Sequence, residues 1–221
     1  MDIYKYLPEN VQSKYNLYNF NHAVEIITQA FPDEWNDLVH TLSTFSIAVE
    51  DLTSAGGAET NIPGKFNDVL IPRRWKDVQI RGDLNVSFYE KIVDMKRYAE
   101  YPAKESTIPN FITGQIDYLK GRVAICLEWN KKDLAFDRTL SSLRTFYECS
   151  LISVGIIITR DGDLTEALKE IKDDTGRSVY KKYGSSTTWT GRLLPKLEAR
   201  QAGGCPVLVV GIRKECIEGY V

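Results

Sequence analysis

Two near-continuous apolar runs constrain the fold of this chain more than any other feature. Residues 151–159 read LISVGIIIT, and residues 206–212 read PVLVVGI. A strand with one face in water alternates apolar and polar residues, whereas a strand that is buried on both faces does not. Both runs therefore predict central strands of a sheet that is covered by helices on each side.

Helical spacing surrounds these runs. Apolar residues recur every three or four positions within residues 20–52 and again within residues 133–149, where Asp133 suits an N-cap. Pro32, followed by Asp33 and Glu34, predicts the start of a second helix. We therefore expect an α/β (α+β) fold with a mixed central β-sheet flanked by helices. A single domain of 221 residues is long enough to bury about 70% of its unfolded surface.

The remaining segments give weaker patterns. Residues 1–75 are expected to form a helical N-terminal part, and residues 54–65 a loop that is rich in glycine and proline. Residues 78–90 predict strands around a turn at Gly82-Asp83, and residues 91–101 a helix ended by Pro102. Residues 164–172 predict another helix, and residues 181–192 are polar and irregular.

Composition narrows the chemistry. No apolar run approaches the ~20 residues of a membrane span, and residues 1–10 lack the apolar core of a signal peptide. Four widely spaced cysteines predict free thiols in a reducing cytoplasm. Because the chain has only two histidines, carboxylates are expected to carry any catalysis. The 28 basic and 30 acidic residues give a net charge of −2, which by itself argues against a nucleic-acid partner.

One predicted hairpin can hold a metal ion. Strand-like residues 111–119 and 122–129 flank a tight turn at Lys120-Gly121, with Asp117 on the first strand and Glu128 on the second. Strand alternation places positions 126 and 128 on one face, so their side chains can converge with Asp117. Such oxygens, with a carbonyl such as that of Leu127, are ligands that Mg²⁺ prefers. The alternative is that both acids are solvated surface groups.

Residues 116–129 resemble the active-site hairpin of the BglII/BstYI-type type II restriction endonucleases, which belong to the PD-(D/E)XK nuclease superfamily and are related to the BamHI enzyme. Supporting similarities lie at residues 31–35 (FPDEW), at Arg74-Trp75-Lys76 and at residues 204–212. The resemblance implies a PD-(D/E)XK core with its catalytic part at residues 111–160. It also implies sequence-specific, Mg²⁺-dependent cleavage of double-stranded DNA, with 5′-phosphates as products and Mn²⁺ as a possible substitute.

The resemblance assigns metal binding to Asp117 and Glu128. Lys131 lies just beyond the second strand, so it can contact a phosphate and is a further candidate catalytic residue. Position 126 is an acid in the family but Cys126 here, and a thiol is a poor ligand for a hard cation. Two interpretations stay open. Either the chain binds DNA and cuts it slowly or not at all, or Asp117 and Glu128 suffice for activity. We favour impairment.

The resemblance implies DNA contacts just after the catalytic strand, and the cations and short hydroxyls within residues 173–203 indicate a second DNA-contact segment. The expected DNA-binding residues are Asn130, Lys131, Lys132, Asp133, Arg138, Lys181, Lys182, Ser185, Ser186, Thr187, Thr188 and Arg192. The resemblance further implies a homodimer on a palindromic site, a cognate DNA methyltransferase and a prokaryotic, cytoplasmic location without a membrane partner.

Overall fold

The computed structural model describes residues 3–53, 61–92, 97–132, 134–184 and 186–220. The helices are α1 (Glu9–Gln12), α2 (Ala23–Ala30), α3 (Pro32–Thr44), α4 (Val49–Thr53), α5 (Asn61–Leu70), α6 (Leu134–Glu148), α7 (Gly162–Ala167), α8 (Tyr180–Tyr183) and α9 (Thr190–Glu198). The strands are β1 (Tyr15–Phe20), β2 (Lys76–Phe88), β3 (Lys91–Ile92), β4 (Arg97–Tyr98), β5 (Lys104–Lys120), β6 (Val123–Glu128), β7 (Val154–Arg160) and β8 (Val207–Ile212).

Six of these strands form one mixed sheet in the order β1-β8-β7-β6-β5-β2. Strands β6, β7 and β8 are parallel, and the other neighbours are antiparallel. Every residue of the three parallel strands is buried, as expected when helices cover both faces. The predicted fold class is therefore confirmed, and the two apolar runs lie at the centre of the sheet.

A separate apolar core lies on each face of the sheet. One core joins α2, α3 and α5 to side chains such as Ile125 and Ile158. The other joins α6 and α9 to the opposite face of the same strands, including Ala124, Cys126 and Ile157. Helix α3 begins with Pro32 and has Asp33 and Glu34 in its first turn, as predicted. None of the helices described here has the length and apolar character needed to cross a bilayer.

The N-terminal prediction is only partly right. Residues 15–20 form edge strand β1, which the sequence reading missed, and residues 20–52 contain three separate helices instead of a nearly continuous helical region. The loop expected at residues 54–65 is wrong for residues 61–65, because these begin helix α5. Its residues 54–60 lie outside the described part, as does the N-cap predicted at Asp133.

Two further predictions are wrong in the arm formed by β2 and β5. The turn expected at Gly82-Asp83 is a register shift inside one continuous strand, which absorbs the local break. Residues 91–92 and 97–98, expected in a helix, pair as β3 and β4. The helix expected at residues 164–172 is shorter, because α7 ends at Ala167. The segment 181–192, expected to be irregular, includes the end of α8 and the start of α9.

Candidate active site

The strands of the predicted hairpin part at Asp117. Strands β5 and β6 pair only from Tyr118↔Ile125 to Lys120↔Val123. On its other side β5 contains a bulge, because Lys76 pairs with Leu119 while Val78 pairs with Ile116. A bulge re-aims a side chain, and here the Asp117 carboxylate accepts a hydrogen bond from the Leu127 amide at 2.8 Å. The Asp117 carboxylate thus accepts from the Leu127 amide in place of a main-chain carbonyl of β5, which would be the acceptor if the ladder continued.

The opening also exposes main-chain oxygen. The N–H and C=O of one strand residue point to the same side, so the Leu127 carbonyl is directed toward Asp117 and the gap. The carbonyl of the next residue, Glu128, points to the opposite edge of the strand, where it accepts a hydrogen bond from the Thr159 hydroxyl on β7. At the end of β6, therefore, the Leu127 carbonyl points to the gap between β5 and β6, and the Glu128 carbonyl points to β7.

Glu128 is a buried acid with one unsatisfied oxygen. Its residue is 3% exposed. Oε1 accepts from the Thr139 hydroxyl at 2.6 Å and lies 3.5 Å from Lys131 Nζ, whereas Oε2 is buried without a hydrogen-bond partner. Burial raises the pKa of Glu128, and the charge of Asp117 adds to this, while Lys131 and Thr139 oppose it. An unpaired buried carboxylate oxygen is the group that a cation would satisfy.

Cys126 is buried beside the two acids. Burial first, and then the charges of Asp117 and Glu128, raise the pKa of its thiol well above the usual range. The side chain is therefore a neutral thiol, and it packs in the core that faces α6. The described residues contain no group of three or more His, Cys, Asp or Glu side chains that could hold a metal ion.

A cleft of about 640 Å³ brings the predicted catalytic residues together. Its lining includes Asp117, Cys126, Glu128, Lys131 and Arg138. A second cavity of about 400 Å³ shares Asp117 and Lys131 and adds Asp77 and Leu127. The Asp117 carboxylate, the Glu128 carboxylate with its unsatisfied oxygen, and the Leu127 carbonyl fit a hard divalent cation by the chemistry of their donors.

The two predicted DNA-contact segments adjoin each other. The Thr188 amide donates to the Lys131 carbonyl at 2.8 Å, the Lys131 amide donates to the Thr188 hydroxyl at 3.2 Å, and Lys132 forms a β-bridge with Thr187. Thr188 itself is fully buried, so its hydroxyl is used inside the protein. The exposed members are Lys131, Lys132, Arg138, Lys181, Ser186 and Arg192, and the half-buried ones are Asn130, Lys182 and Thr187. Asp133 and Ser185 lie outside the described residues.

Two kinds of supporting residue were not predicted from the sequence. Thr139, one helical turn into α6, donates to the Glu128 carboxylate. At the end of β7, Thr159 donates to the Glu128 carbonyl and Arg160 donates to the Thr188 carbonyl. Thr159 and Arg160 are polar residues at the end of an otherwise apolar strand, and this pattern could have indicated a supporting role for them. Thr139 gave no comparable sign, because its partner lies on another element.

A six-stranded mixed sheet flanked by helices, with two acids where an antiparallel pair opens, is consistent with a nuclease-like α+β core. A family model described as restriction endonuclease BglII/BglIII matches residues 15–212. The chain belongs to this family, and the resemblance predicted from the sequence is confirmed. It is thus a type II DNA endonuclease by family, which implies binding to double-stranded DNA and, as is general for such enzymes, use of a divalent metal ion. The search of curated proteins found no match.

Proposed function

We propose that this protein hydrolyses phosphodiesters at a specific sequence of double-stranded DNA, with Mg²⁺ as cofactor, Mn²⁺ as a substitute and 5′-phosphates as products. The observation that carries the proposal is the end of the β5–β6 ladder. There Asp117 binds the Leu127 amide, and the buried Glu128 carboxylate keeps one oxygen without a partner beside the same cleft.

Asp117, Glu128 and the Leu127 carbonyl would hold the ion, which supplies Lewis-acid polarisation of the phosphate and a more acidic bound water. The Leu127 amide orients Asp117, and Thr139 orients Glu128. Lys131 has a side chain that is 48% exposed, at 3.5 Å from Glu128 Oε1. It therefore can reach a phosphate from the rim of the cleft and stabilise its charge.

Cys126 weakens this site. A buried neutral thiol adds neither charge nor a hard oxygen, so the metal has one anionic ligand fewer than the family provides. We propose slow cleavage for this reason. The same observation favours a second candidate, a DNA-binding protein that retains the nuclease fold but does not cut.

DNA contact is assigned chiefly to six exposed residues. Lys131 and Arg138 line the cleft, and Lys132, Lys181, Ser186 and Arg192 belong to the two DNA-contact segments. We propose one domain per chain and a homodimer in which each copy cuts one strand of a palindromic site. A cognate DNA methyltransferase, needed to protect host DNA, and a prokaryotic cytoplasmic location complete the proposal.

Cleavage of a supercoiled plasmid in Mg²⁺ or Mn²⁺ tests it. Cys126→Asp and Cys126→Glu should raise the cleavage rate about tenfold or more, which corresponds to about 1.4 kcal/mol of activation free energy. The matched control is Cys149→Asp, since Cys149 is exposed and lies outside the cleft.

Three results decide between the candidates. Slow wild-type cutting that the Cys126 carboxylates accelerate supports the proposal. Binding of duplex DNA without cutting by any variant supports the second candidate. Equal acceleration by Cys149→Asp would show that position 126 is not part of the metal site.

A further inference from the structure

Thr188 joins the DNA-contact segment to the end of the catalytic strand. The residue is fully buried, and its hydroxyl donates to the Glu128 carbonyl at 2.9 Å while accepting from the Lys131 amide at 3.2 Å. Its own amide donates to the Lys131 carbonyl. One side chain, 60 positions along the chain from Glu128, therefore fixes the backbone of two proposed active-site residues.

The Glu128 carbonyl has a second donor, which lies in the sheet and is not itself part of the DNA-contact segment. Thr159 on β7 donates to the same oxygen, also at 2.9 Å. The two bonds have equal length and a common acceptor, yet one comes from inside the sheet and the other from the DNA-contact segment. The Thr159 bond therefore serves as a control that only stabilises the end of β6, whereas the Thr188 bond also connects β6 to the DNA-contact segment.

Arg160 anchors the Thr188 end of this connection. Its guanidinium is fully buried and donates to the Thr188 carbonyl at 3.1 Å, to the Tyr183 carbonyl at 3.0 Å and to the Thr187 hydroxyl. It lies over the rings of Trp129 and Tyr183, 6.0 and 5.5 Å from their centroids. Among the described residues, the printed acceptors of its guanidinium are carbonyl and hydroxyl oxygens, and none of them is a carboxylate.

A buried guanidinium without a carboxylate partner costs stability. Burial lowers the pKa of Arg160 to about 10. A neutral side chain would fill this space at lower cost, so the cation is better explained by what it holds than by packing. It holds the carbonyls of Tyr183 and Thr188 and the hydroxyl of Thr187. Thr188 in turn is hydrogen-bonded to the backbone of Lys131.

We propose that Thr188, anchored by Arg160, is a positioning residue that transmits DNA contact at Lys132, Ser186 and Thr187 to the backbone of Glu128 and Lys131. This inference rests on the proposed function, because it assumes that these residues hold metal and phosphate. It predicts that the site is ordered for cutting when the segment around Thr187 is held by DNA.

The test compares Thr188→Val with Thr188→Ser and Thr159→Val. Valine keeps the shape of threonine and removes the hydroxyl, serine keeps the hydroxyl, and Thr159→Val deletes the other bond to the Glu128 carbonyl. Single-turnover plasmid cleavage, duplex affinity in Ca²⁺ and amide hydrogen exchange of residues 126–131 are measured for each. Thr188→Ala replaces the valine variant if the latter does not fold.

We expect Thr188→Val to cut about tenfold or more slowly, as for loss of a residue that orients a metal ligand, with duplex affinity within about threefold of wild type. The Lys131 amide should exchange faster, and plasmid DNA should no longer slow exchange across residues 126–131. Thr188→Ser should restore both properties, whereas Thr159→Val should leave the response to DNA intact.

Equal effects of Thr188→Val and Thr159→Val would overturn the proposal, since both would then only support β6. Parallel loss of affinity and rate would also overturn it, because Thr188 would act on binding alone. If wild-type protein cuts no DNA in either metal, the proposed function fails, but the exchange measurements in sheared genomic duplex still decide the coupling.

Discussion

Replacing Glu128 with glutamine should stabilise the metal-free protein while it abolishes cleavage. The carboxylate is 3% exposed, and its Oε2 has no partner. An unsatisfied buried acceptor costs about 1–3 kcal/mol, and more when it is charged. Glutamine keeps the bond from Thr139 through its carbonyl oxygen and removes the buried charge.

Two terms reduce this gain. The attraction to Lys131 is lost, but it contributes less than about 1 kcal/mol because the Lys131 side chain is 48% exposed. The new amide nitrogen also lacks an acceptor and keeps part of the original penalty. The net expectation is about 1 kcal/mol in favour of Glu128→Gln, which corresponds to a rise in Tm of about 2–4 °C for a chain of this length.

Thermal unfolding in a chelator and again in Mg²⁺ measures both parts of the prediction. At ten times its Kd, Mg²⁺ should add about 1.4 kcal/mol to wild type and nothing to the variant. The control is Glu166→Gln, at an exposed acid paired with Lys169, which should leave Tm and the Mg²⁺ response unchanged. A Glu128→Gln protein that melts below wild type in the chelator would refute the reasoning from burial.

Four further changes test other parts of the structure. Asp117→Asn should abolish cleavage with little change in Tm, because its amide oxygen can still accept from the Leu127 amide; circular dichroism and plasmid cutting check this. Gly155→Ala should lower the free energy of unfolding by about 1–3 kcal/mol in urea titration, since a Cβ there would lie 2.8 Å from Leu143. Gly64→Ala should instead raise it by up to about 1 kcal/mol, because helix α5 leaves open space at that position. Raising salt from about 50 to 200 mM should weaken duplex binding about 500-fold if some five cations contact phosphates, and filter binding would contradict this if the slope were flat.

The centre of the fold was predictable because its cause is local. Residues 154–160 and 207–212 are buried on both faces, and a near-continuous apolar run rich in β-branched residues carries that information by itself. The hairpin that holds Asp117 and Glu128 was equally accessible, since Lys120-Gly121 marks the turn and alternation sets the faces. Gly121 has φ +53°, a conformation that glycine adopts readily.

The detailed geometry of the site was not predictable, because it depends on pairing between distant strands. The bulge at Asp117 exists only because β5 advances three residues where β2 advances two. Nothing near Asp117 in sequence specifies the register with Lys76 and Val78. The role of Thr188 is likewise set by contacts to Glu128 and Arg160, so its hydroxyl looked like a surface group.

The peripheral errors have a related cause. Strand β1 is short, its sequence YNLYNF does not alternate strictly, and it is defined by its pairing with β8 more than by its own composition. Residues 91–92 and 97–98 are strands because they close the end of the β2–β5 arm. The helix predicted for residues 91–101 therefore gives way to tertiary pairing at these four positions.

The backbone origin of the site explains how the fold accommodates Cys126. The gap is made by the end of the β5–β6 ladder, the bulge and the Leu127 amide, none of which uses the side chain at position 126. A carboxylate there would bury a third negative charge beside Asp117 and Glu128, and a bound cation would offset the repulsion. The neutral thiol removes this dependence on metal and packs against α6. We therefore expect Cys126→Glu to gain cleavage activity and to lose stability in a chelator, two changes with the same electrostatic cause.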